Sequence, residues 1–295
     1  MSKIAIVGDV HIATGVSTRK DNYFETCLGK LRQIFDNNDY IIFGGDLFHT
    51  PVLPLDKFYS VYLLLKEYQN TKEFYSIVGN HDLFNMNEQT LYKTSLGLLE
   101  LTGLIHILRE GEILEISNKA RFEATALNFG ELKPSENNNY FLFHHFYNLN
   151  CQDSLNDEML DSMFPNRLGC FCFHDHETYE PLNGVYRPGS LMRNAATEYN
   201  KKRIPVYYQI DSETGEISLQ TIVAQRGEDI FVDNALIKKR ERFIEDLNNT
   251  INMYSEKIET NEKYSMIEIL KEIKTPRKSM EYIMQTCKVL GVTLK

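Results

Sequence analysis

The chain is short of three things, and each shortage excludes a class. No stretch approaches the ~18 consecutive apolar residues of a membrane-spanning helix, so a helical membrane protein is excluded. Cysteine is sparse and irregular, five in 295 residues. An odd, unpatterned set is not a disulfide framework, and it offers no spacing for a structural zinc site. Positive charge is also short: 32 Lys and Arg against 41 Asp and Glu leave a net charge of −9. Most of the surface therefore repels nucleic acid, and a contact with DNA needs a local basic patch or bound cations. The opening "MSKIAIVGDV" lacks the apolar length and cleavage site of a signal peptide. With free thiols, this makes the cytoplasm the expected location, and no membrane partner is expected. No internal repeat or low-complexity tract interrupts the chain.

What is present is an alternating pattern. "KIAIVGD", "YIIFGGD" and "EFYSIVGN" read as strands, with helices expected over 21–35, 55–68 and near 88–99. Strands alternating with helices argue for a largely parallel sheet in an α/β fold. From about Ile107 the pattern changes to short strands: "ILEIS", "RFEATALN", "YFLFHH", "LGCFCFH", "VYYQI" and "ISLQTIV". These are expected to form a second, more antiparallel sheet. Cys170 and Cys172 of "CFC" fall on one strand face, with core packing the expected role. From about Asp229 the character becomes helical. Ile237, Ile244, Ile251 and Ile258 recur every seven residues, and two shorter helices with apolar stripes are expected behind them. The expected domains are therefore residues 1–228, catalytic, and 229–295, a small helical region.

The polar residues are not scattered. The strand-like runs end in "GDVH" (Asp9, His11), "GGDLFH" (Asp46, His49), "GNHD" (Asn80, His81, Asp82), "FHHF" (His144, His145) and "FHDH" (His174, His176). Seven of the eight histidines lie in these clusters, His106 being the exception. One such histidine is more often a packing residue, but five clusters at five strand ends indicate a metal site. Side chains alternate along an extended chain, so Asp-x-His and His-x-His each aim two ligands to one side. Carboxylate, imidazole and amide oxygen together suit a hard or borderline divalent ion. There are enough ligands for two ions, with Asp46 placed to bridge them. Two ions a few ångströms apart activate a water and offset charge at phosphorus.

The order GDxH, GGD, GNHD, H and HxH resembles that of the calcineurin-like metallophosphoesterases, over about residues 1–225. The resemblance implies an α/β fold in which two sheets form a sandwich flanked by helices. It implies Asp9, His11, Asp46 and His176 around one ion, and Asp46, Asn80, His144 and His174 around the other. The donor types leave Mn²⁺, Fe²⁺ and Zn²⁺ open, with Mn²⁺ the expected ion. His144, directly at the strand end, is implied rather than His145. His81 is implied as a non-ligand acid or transition-state partner. One departure stands out: the family usually has glycine before the His-x-His, and here Phe173 takes that place, which puts the local turn in question.

"GGDLFH", followed later by "VYRPGSLMR", is similar to the SbcD-type DNA-repair nucleases. The arginine by which protein phosphatases grip phosphate is replaced in that region by Leu47, Phe48 and His49. This second resemblance implies an exonuclease or endonuclease acting on DNA in repair, recombination or replication, with His49 beside the catalytic centre. It implies an SMC-like ATPase docked on the C-terminal helices, and it allows a homodimer. The short length resembles compact bacteriophage members, which would put the protein in a host cytoplasm. Two other readings stay open: a phosphatase or phosphodiesterase for small molecules, and a non-catalytic scaffold for DNA ends or an ATPase.

Overall fold

The computed structural model describes residues 2–125, 132–148 and 154–232. Strands β1 (Lys3–Val7), β2 (Tyr40–Phe43), β3 (Glu73–Ser76) and β4 (His106–Ile107) pair in parallel. Helices α1 (Tyr23–Asn37), α2 (Leu55–Tyr68) and α3 (Ser95–Leu101) link them. β5 (Ile113–Ser117), β6 (Ala120–Ala124), β7 (Tyr140–Phe143), β8 (Gly169–Cys172), β9 (Tyr179–Leu182) and β10 (Val185–Arg187) form the second sheet, with α4 (Asp157–Met163) between β7 and β8. Helix α5 (Glu198–Lys202), β11 (Val206–Asp211), β12 (Ile217–Thr221) and α6 (Gly227–Ile230) complete a compact unit that runs to Phe231. The orders are β12-β11-β1-β2-β3-β4 and β5-β6-β7-β8-β10-β9. Among the described residues no helix is long and apolar enough to cross a membrane. The long helix and two short helices expected over 229–295, with the ATPase-docking role given to them, lie outside the described residues apart from the first few positions.

Strands buried on both faces build this sandwich. In β1, Ile4 and Ile6 face the space between the sheets, whereas Ala5 and Val7 face the helices. In β7 and β8, Tyr140, Leu142 and Phe171 point inward; Phe141, Phe143, Cys170 and Cys172 point outward onto Leu160 and Phe164. This period of two, apolar on both faces, is what a central strand requires. Cys170 and Cys172 are free, buried core thiols, whose pKa values burial pushes up. Helix α1 starts at Asn22, whose side chain accepts the Glu25 N–H at 3.3 Å. It lays Phe24, Leu31, Ile34 and Phe35 against the first sheet, and each large side chain so buried contributes roughly 1.5–3 kcal/mol.

Two expectations are corrected. The second sheet is not mainly antiparallel: β6, β7, β8 and β10 pair in parallel, with antiparallel pairs only at its margins. Strands β11 and β12 belong instead to the first sheet, where β11 runs antiparallel to β1. Burial explains the misplacement. An alternating strand fits either sheet, and only the long-range register (Ile4 opposite Ile210, for example) decides between them. The helix expected near 88–99 is broken: Glu88–Lys93 is a 3₁₀ turn, and Thr94 caps a new helix by accepting the Gly97 N–H at 3.3 Å.

Candidate metal centre

Five strand ends converge. The segments after β1 and β2 are zipped together by their backbones: His11 N–H donates to Asp46 O at 2.9 Å, Ile12 N–H to Leu47 O at 2.9 Å, and His49 N–H to Ile12 O at 3.0 Å. The turn after β3 is tied to the second of these segments by Asp82. Its fully buried carboxylate accepts Gly79 N–H at 3.0 Å and Phe48 N–H at 3.1 Å. His11, Asp46 and His174 all have left-handed backbones, with φ of 54°, 48° and 77°. Such conformations cost of order 1 kcal/mol each away from glycine, and they gather at functional sites. They turn three side chains back toward one place. Phe173, the departure from the family pattern, is buried and lies flat against Gly44: a β-carbon on that glycine would stand 2.2 Å from the ring. The turn is kept because Gly44 leaves room for the larger side chain.

The carboxylates show what the site is shaped to hold. Asp46 Oδ1 accepts the His81 N–H at 2.8 Å and Asp9 Oδ1 the His174 N–H at 3.2 Å. Their other oxygens, both Oδ2, are buried with no hydrogen-bond partner. Asp46 Oδ2 lies 3.5 Å from His144 Nε2 and 3.7 Å from His11 Nε2. Asp9 Oδ2 lies 3.5 Å from His176 Nε2 and 3.9 Å from His11 Nε2. Orphaned buried oxygens facing ring nitrogens are costly unless a cation lies between them. Two groups result, each with donor atoms within 4.8 Å of one another: Asp9, His11 and His176; and Asp46, His144 and His174. The Asn80 oxygen lies 3.1 Å from His144 Nε2 and joins the second. The donor set fits divalent cations.

The electrostatics agree. Burial drives His11 well below its ordinary pKa, so its approach to the carboxylates is not an ion pair. Burial lifts Asp9 to about 7, opposed by His144 and aided by the negative charge of Asp46. Burial also works against charge on Asp46 and His144, but each sustains the other: His144 rises to about 9 and Asp46 is held below the usual carboxylate range. His174 falls to about 4, through burial and then the nearby His144 charge. Positive charge is thus favoured beside Asp46 and Asp9, where the geometry places the cations. His144 Nδ1 meets Gly44 O at 2.8 Å, which fixes the ring with Nε2 toward the site. His145 is buried beside it and belongs to neither group.

His81 and His49 lie at the rim. His81 Nδ1 is 2.8 Å from the His49 carbonyl, and the two rings stack at 5.3 Å. Both also stand edge-on to His11.

Several supporting residues were not foreseen from the sequence. Asp82 sits inside a recognised motif, yet its role as a brace appears only from its two backbone partners. The "PGSLMR" segment is a strap that ties the backbones of Asp9 and His176 together. Ser190 N–H donates to His176 O at 3.1 Å, and Leu191 N–H to Asp9 O at 2.8 Å. Its Gly189 has φ +70°, and its carbonyl oxygen would lie 1.9 Å from a β-carbon on Gly8, so both glycines are required. Buried Arg203 holds the strap from behind, donating to Ser190 O, Ser190 Oγ and Met192 O at 2.8, 2.8 and 2.9 Å. Lys30 donates to Leu191 O at 2.8 Å.

Two six-stranded sheets whose strand ends pool carboxylates and imidazoles at one place define a class of metal-assisted hydrolase. The chain belongs to the calcineurin-like phosphoesterase family, whose model matches residues 2–192. Membership makes phosphoester hydrolysis with divalent metal the activity of this site. No curated protein matches the sequence. Among solved structures, a protein described as a candidate diadenosine tetraphosphatase is similar at 16% identity, over 76% of this chain and 95% of that one, with a TM-score of 0.36.

Proposed function

We propose that the chain is a phosphodiesterase acting on DNA, of the SbcD type. The observation that carries this reading is His49. In place of a phosphate-gripping arginine, the "GGDLFH" loop puts an imidazole against His11 and His81. The ligands proposed for one ion are Asp9, His11, Asp46 and His176, and for the other Asp46, Asn80, His144 and His174. Manganese is the proposed metal, because imidazole-rich mixed sites suit it better than magnesium's mostly oxygen shell. Bound there, the ions supply water activation and neutralise charge at phosphorus. The chain's own residues do the rest. His81, with Nδ1–H held by the His49 carbonyl, presents its other nitrogen, and in its doubly protonated form gives that nitrogen's proton to the leaving oxygen. Asp82 and the strap hold the loops in register. The side chain of His176 is 45% exposed, so one flank of the site is open, as a polymer substrate needs. An SMC-like ATPase is the proposed partner, resting on the apolar stripes in the sequence beyond residue 232.

The experiment gives the purified chain, with Mn²⁺, linear duplex DNA, bis-p-nitrophenyl phosphate and a dinucleoside polyphosphate side by side. DNA should be cut, and His81→Ser should lose about 10²-fold or more in rate while keeping its bound metal. Hydrolysis of the dinucleoside polyphosphate with DNA left intact would instead favour a small-molecule role, which the net charge of −9 also suits.

A further inference from the structure

His11, His49 and His81 form a third group whose donor nitrogens lie within 4.8 Å of one another. The two-ion arrangement does not use it. We propose that these three imidazoles are a separate site for a borderline cation, of which Zn²⁺ is the type, with His49 and His81 as its own ligands and His11 shared.

Distance is the first argument. His49 Nδ1 and His11 Nδ1 are 3.5 Å apart. That exceeds the ~2.7–3.2 Å of an ordinary N–H hydrogen bond. It is close to the ~3.3 Å between two nitrogens bound tetrahedrally to zinc at ~2.05 Å. The other face of the same ring behaves differently. His11 Nε2 and His176 Nε2 are 2.9 Å apart, within hydrogen-bond range and also near the ~3.0 Å separating adjacent ligands of an octahedral ion with ~2.1 Å bonds. The two nitrogens of one ring thus meet their neighbours at different spacings. His81 supplies the second argument. Its Nδ1 is engaged by the His49 carbonyl at 2.8 Å, which fixes the tautomer and leaves Nε2 with a lone pair, as for a zinc-bound histidine with its outer partner. The donor chemistry is the third. This group has no carboxylate, and imidazole alone favours zinc, copper or nickel over manganese or magnesium. The ring proton of His11 leaves when both its nitrogens are used, so the shared ring becomes an anion between two cations. A cation held by His81 also occupies the group proposed to protonate the leaving oxygen, so the site is an inhibitory one.

The inference takes the two-ion reading as its baseline, and ion counting separates the two. Full-length protein is equilibrated with excess Zn²⁺ or Mn²⁺, desalted, and measured by elemental analysis. One more zinc than manganese per chain is expected, and His49→Phe should remove that extra zinc while leaving the manganese count unchanged. Equal counts for the two metals, or an extra zinc that survives His49→Phe, would overturn the proposal. A manganese count below two would instead fail the two-ion reading. Should His49→Phe misfold, Co²⁺ titration of the unaltered chain decides. The intense visible band of tetrahedral cobalt on the last equivalent supports the site, and weak octahedral bands throughout overturn it.

Discussion

The two sheets contribute unequally to one centre. The first supplies both carboxylates, the amide and one imidazole, Asp9, Asp46, Asn80 and His11, from loops braced to each other by backbone hydrogen bonds and by Asp82. The second supplies only imidazoles, His144, His174 and His176, each held by few contacts: a carbonyl for His144, the strap for the His176 backbone. Carboxylates and closely braced loops lie on one side, imidazoles alone with fewer restraints on the other. The carboxylate side should set whether cations bind at all. The imidazole side should set which cations bind and how tightly.

The largest effect expected from breaking this division is at Asp46. Asp46→Ala removes the one carboxylate among the described residues that approaches both His11 and His144, so both ions should be lost. That exceeds the ~10–100-fold that losing an outer partner of a ligand costs. His174→Ala should release one ion and keep the other. Elemental analysis of the two variants checks the contrast, and equal losses would erase it.

Next is Asp82. Asp82→Ala strands two buried N–H groups at roughly 1–3 kcal/mol each. Burial already strains the carboxyl, lifting its pKa to about 7, and its removal offsets part of that loss. A net destabilisation of about 2 kcal/mol is expected in denaturant melts, with Asp82→Asn losing about half as much because one acceptor remains.

A smaller effect is expected at Arg203. Arg203→Met frees the strap, and the ion bound through His176 should weaken by about 10-fold while its neighbour at His144 is unaffected. Arg203→Lys should recover part of the loss. Manganese titration resolves the two binding steps.

The smallest effect is a pH slope. Burial, then the charge of Arg193, lowers buried Lys30 from 10.5 to about 7. Between those values the unfolded chain binds more protons than the folded one, so this residue's contribution makes stability rise with pH from about 7 to 10.5. Lys30→Met should flatten the slope relative to the parent, measured as the difference between their urea midpoints across that window.

The polar strand ends were legible because carboxylates and imidazoles clustered just past apolar runs stand out without tertiary information. Alternation along a strand does not place them, since His11 and His174 lie past the strand ends with left-handed backbones; the structure puts Asp9, His11 and His176 in one group and His174 with Asp46 and His144 in the other. Helix α2 was legible end to end. The second sheet was not, since parallel and antiparallel pairing leave the same alternation in a doubly buried strand such as β7. Nor were the braces. Arg203 and Lys30 look in sequence like parts of a charged surface, and only their buried carbonyl partners reveal what they hold. The fit of Phe173 was not legible, because its accommodation depends on Gly44, far away in the chain.

Whether two cations meet at Asp46 is decided by anomalous scattering at the manganese edge from crystals grown with Mn²⁺. Two peaks flanking Asp46 Oδ2 are expected, one among Asp9, His11 and His176, the other among Asn80, His144 and His174. A single peak, or a pair in which Asp46 touches only one, would contradict the bridging role of Asp46.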